Sequence, residues 1–281
     1  MANFIDLLEA RWEKGCFLCV GLDSDYAKLP AAIKTASITE SLFNFNREII
    51  EATAEYCCAF KPNSAFYEGY GLEGLAALIK TNRYLREHYP DHPVILDAKR
   101  ADIGSTNSGY IKAAFETYFA DAITVNPYLG QEALQPFLEN KEHGIIVLCH
   151  TSNPGAGEFQ ELQIDGRELY KIVAANVSKS WNFNHNCGLV VGATYPGQLS
   201  EVRKIAGDLP LLIPGIGAQG GDLGQTVANG LNSRGTGIII NSSRNVIYAS
   251  SNHDFAKAAA DEAARLDREI RRVVAGVLKD R

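Results

Sequence analysis

Pro93-Val-Ile-Leu-Asp97-Ala-Lys99-Arg-Ala-Asp102-Ile-Gly-Ser-Thr106 is the stretch on which the reading of the chain turns. It opens as a short apolar run bounded by Pro93, the pattern of a buried strand. It then delivers three charged groups, Asp97, Lys99 and Asp102. Side chains alternate along a strand, so Asp97 and Lys99 are expected on one face, while Asp102 falls beyond the strand end and can aim elsewhere. An acid and a base side by side at a strand's carboxyl end form either a surface ion pair of little worth or a site that uses both.

The surrounding pattern favours a site. Short apolar runs occupy 17–23, 57–62, 93–97, 122–126, 144–149, 188–193, 210–214 and 237–241. Amphipathic or alanine-rich stretches of helical spacing separate them, at 40–55, 72–88, 105–119, 166–180 and 196–206, with a last helix at 254–278. Ahead of the first run, Phe4, Leu7, Leu8 and Trp12 also follow helical spacing. Eight strand-helix units without a composition break or linker predict a (β/α)8 TIM barrel, one catalytic domain over 1–281 with an extra N-terminal helix. A doubly wound open sheet is the alternative.

In a barrel all strand carboxyl ends lie on one rim, and that rim carries the active site. The runs here end in Asp23, Lys61 with Asn63, Asp97 with Lys99, Asn126, Thr151 with Ser152, Thr194, and Ser242 to Arg244. So many polar strand ends together make a site where one would mean nothing.

The net charge of −6 over 281 residues argues against a nucleic-acid partner, leaving room for a local basic pocket that takes one small anion. No apolar run approaches the ~18 residues of a membrane span. Asp6, Glu9 and Glu13 stand where a signal peptide would be apolar. A soluble cytoplasmic protein with no membrane partner is expected. Cys16 and Cys19 have a metal or redox spacing, but they fall at a strand, where positions three apart face opposite sides. With no second such pair, buried structural cysteines in a reducing compartment are expected for all six.

Pro214-Gly215-Ile-Gly217-Ala-Gln219-Gly220-Gly221 follows the seventh run and contains a literal GxGxxG. It does not open a first βα unit, and no acid for a ribose follows some 20 residues on, so a dinucleotide site is rejected. Glycines that let backbone N–H groups approach an anion fit a phosphate cradle after strands seven and eight, with the Arg244 guanidinium beside it. The segment from His150 through Gly155 and Gly157 to about Asp165 has the length and glycines of a lid. The six histidines show no metal-binding spacing, and His150 is given no catalytic role.

With Asp23, Lys61, Asp97-x-Lys99-x-x-Asp102, Ser152, the glycine loop and Arg244 in this order, the chain resembles the orotidine 5′-phosphate decarboxylase family. Phe60-Lys-Pro-Asn63 and Thr151-Ser-Asn-Pro-Gly155 are similar to its longer bacterial subgroup. The resemblance implies a homodimeric barrel with shared active sites. It would convert orotidine 5′-phosphate to UMP and CO2 in de novo pyrimidine synthesis, without metal or organic cofactor. By the same resemblance Lys99 protonates C6 of the pyrimidine, Asp97 sits against the leaving carboxylate, and Lys61 and Asp102 complete an alternating charged array. Asp102 and Thr106 come from the partner subunit. Asp23 and Lys61 are assigned to the ribose, Ser152 to the pyrimidine edge, Gln219 and Arg244 to the phosphate, and Pro214 to the neighbourhood of the ring.

Two other readings compete. Magnesium-dependent sugar-phosphate aldolases or decarboxylases of the same barrel superfamily share an Asp-x-Lys-x-x-Asp strand. They should bring a further acid from the second strand, which here ends Lys61-Pro-Asn63. A non-catalytic nucleotide sensor would need the phosphate and ribose contacts but not four charged groups together.

Overall fold

The computed structural model of the chain describes residues 2–216 and 221–280. Each predicted apolar run overlaps a strand: β1 Leu18–Gly21, β2 Cys57–Lys61, β3 Ile95–Arg100, β4 Ala122–Val125, β5 Gly144–His150, β6 Cys187–Val191, β7 Leu211–Pro214 and β8 Ile238–Ser242. They pair in parallel in the order β2-β1-β8-β7-β6-β5-β4-β3. The remaining gap, between β2 and β3, is closed by the parallel bridges Phe60↔Val94 and Asn63↔Asp97. Strands covered on both faces read as continuous apolar runs, and β1, β2, β4, β6 and β8 are buried along their whole length.

The outer ring contains Ile38–Thr53, Gly71–His88, Ser105–Lys112, Gly130–Leu138, Leu169–Asn176, Pro196–Ala206, Leu223–Gly230 and Phe255–Lys279. Asp222 accepts from the Gln225 N–H (2.6 Å) and so caps the helix that follows the glycine loop. Two helices expected as uninterrupted differ: those after β3 and before β6 end in wide π turns, Ala113–Thr117 and Val177–Trp181.

The leading helix, Phe4–Glu13, begins at a capping box between Asn3 and Asp6. It covers the amino-terminal ends of the strands. Trp12 donates its indole N–H to the Ile238 carbonyl (2.9 Å), where β8 begins, and Phe4 packs on Gly144 at the start of β5. Leu7, predicted on the buried face, is only half-buried. Arg11 is buried instead, its guanidinium donating to the carbonyls of Cys57 (2.7 Å) and Ala54 (3.1 Å). This floor leaves the opposite rim for chemistry.

All six cysteines are buried free thiols. Cys16 accepts from Arg11 (3.5 Å) and Arg271 (3.3 Å), whereas burial pushes the Cys19 thiol up to about 12. The two have separate surroundings.

Candidate active site

The carboxyl ends of the strands enclose a cavity of about 510 Å³. Asp23, Lys61, Asp97, Lys99, Ser152, Pro214 and Arg244 all line it, brought from six different strand ends. Lys61 and Asp97 form its charged floor. The Lys61 ammonium lies 3.0 Å from Asp97 Oδ2, and the Lys99 ammonium 2.5 Å from Asp97 Oδ1. Side-chain exposure is 4% for Lys61, 13% for Asp97 and 47% for Lys99. One carboxylate is therefore held between a dry cation and one that reaches into the open cavity.

Burial opposes ionisation of Asp97, but the two ammonium groups outweigh it and hold the carboxyl far below the usual carboxylate range. Burial likewise disfavours the charged form of Lys61, and the Asp97 and Asp23 carboxylates reverse the balance, raising its pKa. Asp97 and Lys61 are thus both ionised throughout the neutral range.

Asp97 and Lys99 meet, though not by plain alternation. In the register of β3 with β4, Leu96 faces Ile123 and Arg100 faces Val125, so the intervening residues form a bulge. Within it Lys99 has φ of +48°, the left-handed region that non-glycine residues enter only when their surroundings impose it. Thr124 of β4 lies against this bulge, its hydroxyl donating to Asp97 Oδ1 (3.0 Å). Asn63 reaches Asp97 Oδ2 at 3.5 Å.

Asp23 brings a buried carboxylate oxygen with no hydrogen-bond partner among the described residues. An acceptor buried without a donor is costly, and this one borders the cavity, placed to take a hydroxyl. Asn241 of β8 presents a second such oxygen on the same wall.

Arg244 is exposed and lines the same cavity as Ser243, Asn245, Pro214 and Gly215. The glycine loop is pinched where it leaves and returns: Ile216 bridges Gly221, and the Gly221 N–H donates to the Gly215 carbonyl (3.1 Å). Gln219, predicted at the phosphate, lies outside the described residues.

Asp102 and Thr106 do not line the cavity. Asp102 accepts from the Ile103 N–H (2.7 Å), and Thr106 is exposed in the first turn of the Ser105–Lys112 helix. Ile103, which follows Asp102, is 60% exposed, and Asn107 of the same segment donates to the Ala133 carbonyl of the next helix (2.6 Å).

The predicted lid has structure of its own. After β5 come a short turn at Pro154–Ala156, a helical turn at Gly157–Gln160 and a hairpin pairing Gln163–Ile164 with Arg167–Glu168. Asp165 and Gly166 both have positive φ, as a tight two-residue hairpin turn requires, so the helix expected from 166 begins at Leu169. The buried His150 anchors this flap through Glu161 (2.9 Å), and Gln160 accepts from the Thr151 N–H (2.8 Å). Behind the flap lies a second, more apolar cavity of about 570 Å³ that shares Leu148 and Gln160 with the first and is bordered by Phe159 and Trp181.

A family model described as "Orotidine 5'-phosphate decarboxylase / HUMPS family" matches residues 17–259, from the first strand into the last helix. The chain belongs to that family. It is 49% identical over 274 residues, covering 97% of this chain and all of the other, to a protein of Janthinobacterium sp. (strain Marseille) named orotidine 5′-phosphate decarboxylase. Among solved structures, the OMP decarboxylase of Leishmania donovani superposes with a TM-score of 0.81 at 40% identity, covering 94% of this chain and 99% of that one. The UMP synthase of the same organism superposes with a TM-score of 0.83 at 40% identity; 95% of this chain is covered and only 57% of the synthase, so the likeness spans little more than half of that protein.

The residues quoted for the decarboxylase resemblance thus fall into three groups: one cavity, one exposed rim, and Gln219. Sequence reasoning passed over Thr124, which looks like any β-branched residue of a buried strand, and gave Asn241, at the end of the eighth run, no role for its side chain.

Proposed function

We propose that this chain decarboxylates orotidine 5′-phosphate to UMP and CO2 in de novo pyrimidine synthesis, with Lys99 as the proton donor to C6. The observation that carries this is Asp97 held between Lys61 and Lys99 in a cavity whose lining also includes Arg244. Loss of CO2 from C6 leaves an electron pair on a carbon with no carbonyl placed to delocalise it, so its stabilisation must be electrostatic and preorganised. The Lys99 ammonium supplies that field: two unit charges ~4 Å apart interact by about 4 kcal/mol at an effective dielectric near 20. As the bond to the carboxylate carbon breaks, a proton passes from Nζ to C6. Lys99 is left neutral and is reprotonated from water.

Asp97 faces the substrate carboxylate in this reading. Its full ionisation means that repulsion is present in the complex and relieved as CO2 forms. Asp23 and Lys61 take the ribose, Ser152 the pyrimidine edge, and Arg244 with Gln219 the phosphate, while Pro214 borders the ring. Phosphate binding remote from C6 can then be spent on closing the flap.

The reading includes a homodimer in which Asp102 and Thr106 complete the partner's site. Both lie outside their own cavity, and Ile103 between them is an exposed apolar side chain that such an interface would cover. The chain works as one catalytic domain over 1–281, in the cytoplasm, where six unpaired thiols persist.

Hybrid dimers test the shared site. Homodimers of Lys99→Ala and of Asp102→Asn should each be inactive, read by the change in pyrimidine absorbance on adding orotidine 5′-phosphate. In a hybrid, action across the interface gathers both lesions in one site and leaves the other intact. Activity returns, to about half the parent's, one intact site of two. Verified hybrids without recovery would place Asp102 in its own subunit's site or in none.

A further inference from the structure

Thr124 lies at the junction of the two features that make the charged site unusual, the bulge in β3 and the doubly paired carboxylate. It is buried in β4 at 1% exposure. Its hydroxyl oxygen accepts the backbone N–H of Lys99 (3.0 Å), and its hydrogen goes to Asp97 Oδ1 (3.0 Å). A hydroxyl has one hydrogen to donate and two lone pairs to accept with, so the two bonds coexist and fix each other's direction. The same Asp97 oxygen receives the Lys99 ammonium at 2.5 Å, while Oδ2 receives Lys61 at 3.0 Å. Backbone and ammonium of Lys99, the carboxylate of Asp97 and the Thr124 hydroxyl thus close a ring around the one residue of β3 with left-handed backbone.

We propose that Thr124 is a positioning residue for decarboxylation: its hydroxyl locks the strained Lys99 backbone to the Asp97 carboxylate and so aims the Lys99 ammonium before substrate enters. The inference rests on Lys99 being the proton donor. Without the hydroxyl, the Lys99 N–H loses a partner beside a buried carboxylate that also loses a donor. The bulge is then free to relax toward an ordinary backbone conformation, carrying the ammonium with it. Because the cost falls on aim rather than on ligand contacts, it should appear in turnover and not in affinity.

Thr124→Val keeps the branched shape and removes the hydroxyl; Thr124→Ser keeps the hydroxyl and removes a methyl. For Thr124→Val, kcat should fall about 10- to 100-fold, the range set by losing one hydrogen bond to a charged group. KM for orotidine 5′-phosphate and Kd for UMP should stay within about threefold of the parent. Thr124→Ser should recover kcat to within about fivefold. If Thr124→Val fails to fold, Thr124→Ala replaces it, accepted as folded when it binds UMP. A folded hydroxyl-free variant with kcat within about twofold of the parent overturns the inference. So does a serine variant as impaired as the valine one, since loss of shape rather than of the hydroxyl would then be responsible. Lys99→Ala separates the two levels: if it keeps activity within about tenfold, the proton-donor assignment falls and this inference with it. If Lys99→Ala is dead and Thr124→Val unimpaired, Thr124 alone is wrong.

Discussion

Lys99 spends its freedom unusually. A lysine on a flexible stem ordinarily samples many rotamers, yet this one is fixed at both ends, by a left-handed backbone and by a carboxylate. Under the proposed role, in which one group provides both field and proton, Lys99→Ala should lower decarboxylation by more than about a thousandfold while the protein stays folded and still binds UMP. Retention of activity within about tenfold, measured on the purified variant, would remove it from the chemistry. The phosphate role proposed for Arg244 rests on a guanidinium's ability to grip a phosphate through two parallel bonds. The parent should prefer UMP to uridine strongly, and Arg244→Ala should reduce that preference by about 100-fold. An unchanged ratio of the two dissociation constants would take Arg244 out of the phosphate site. At this scale the sequence was readable where residues announce themselves by charge. Asp97, Lys99 and Lys61 stood out, whereas Thr124 did not, because its part depends on a bulge that no local pattern encodes.

Among the elements, the flap and the strand ends that carry it set the position of Ser152, the residue proposed to meet the pyrimidine edge. Gly192 follows β6 and donates its N–H to the His150 carbonyl (2.7 Å). A Cβ there would stand 2.7 Å from Ser152 Cα and 2.8 Å from Ser152 N, backbone atoms that cannot rotate away. Gly192→Ala should therefore push Ser152 out of place and lower kcat/KM by up to about 100-fold, the known cost of ångström-scale misplacement. Steady-state kinetics beside a melting curve checks this; unchanged kcat/KM in a folded variant would show Ser152 does not need its present position. Strands were the most legible elements, since each is an apolar run with a polar end. The flap was legible only as a long glycine-bearing loop. Its hairpin turns on Asp165-Gly166, a dipeptide signal that lies between segments too short and too polar to look like strands. Gly130–Leu138 is similarly obscured, because Pro136 inside it reads as a helix breaker.

Across the whole molecule, stability and chemistry sit at opposite ends of the barrel, and pH separates them. His92, near the floor, bonds through Nε2 to the Ala54 carbonyl (2.8 Å), while its Nδ1 is buried with no partner among the described residues. The ring is neutral with its hydrogen on Nε2. Burial, helped by the Arg11 cation, pulls its pKa from 6.5 down to about 4. Between those values the unfolded chain binds a proton that the fold refuses, so stability rises with pH across this window and is fully present above it. The contribution is about 3 kcal/mol at most. Urea titrations at pH 4.5 and 7 should show a smaller difference for His92→Gln than for the parent. Equal differences would mean that His92 is not the group responsible. The single barrel was legible as a whole because eight repeats of one pattern average out local errors. The surroundings of Asp102 were not, since a short charged turn ahead of Ser105 looks in sequence like any other helix start.

The indole of Trp12, hydrogen-bonded to Ile238 at the floor, gives the molecule an optical consequence. The chain has two tryptophans, and the other, Trp181, borders the cavity behind the flap together with Phe159 and Gln160. Its intrinsic emission is therefore already divided by location. In Trp181→Phe the remaining fluorophore is shielded from solvent and far from the rim; its spectrum should shift on denaturation and ignore UMP. In Trp12→Phe the emission comes from behind the flap and should change as UMP is added, so that ligand-driven movement can be followed in real time without attaching a dye.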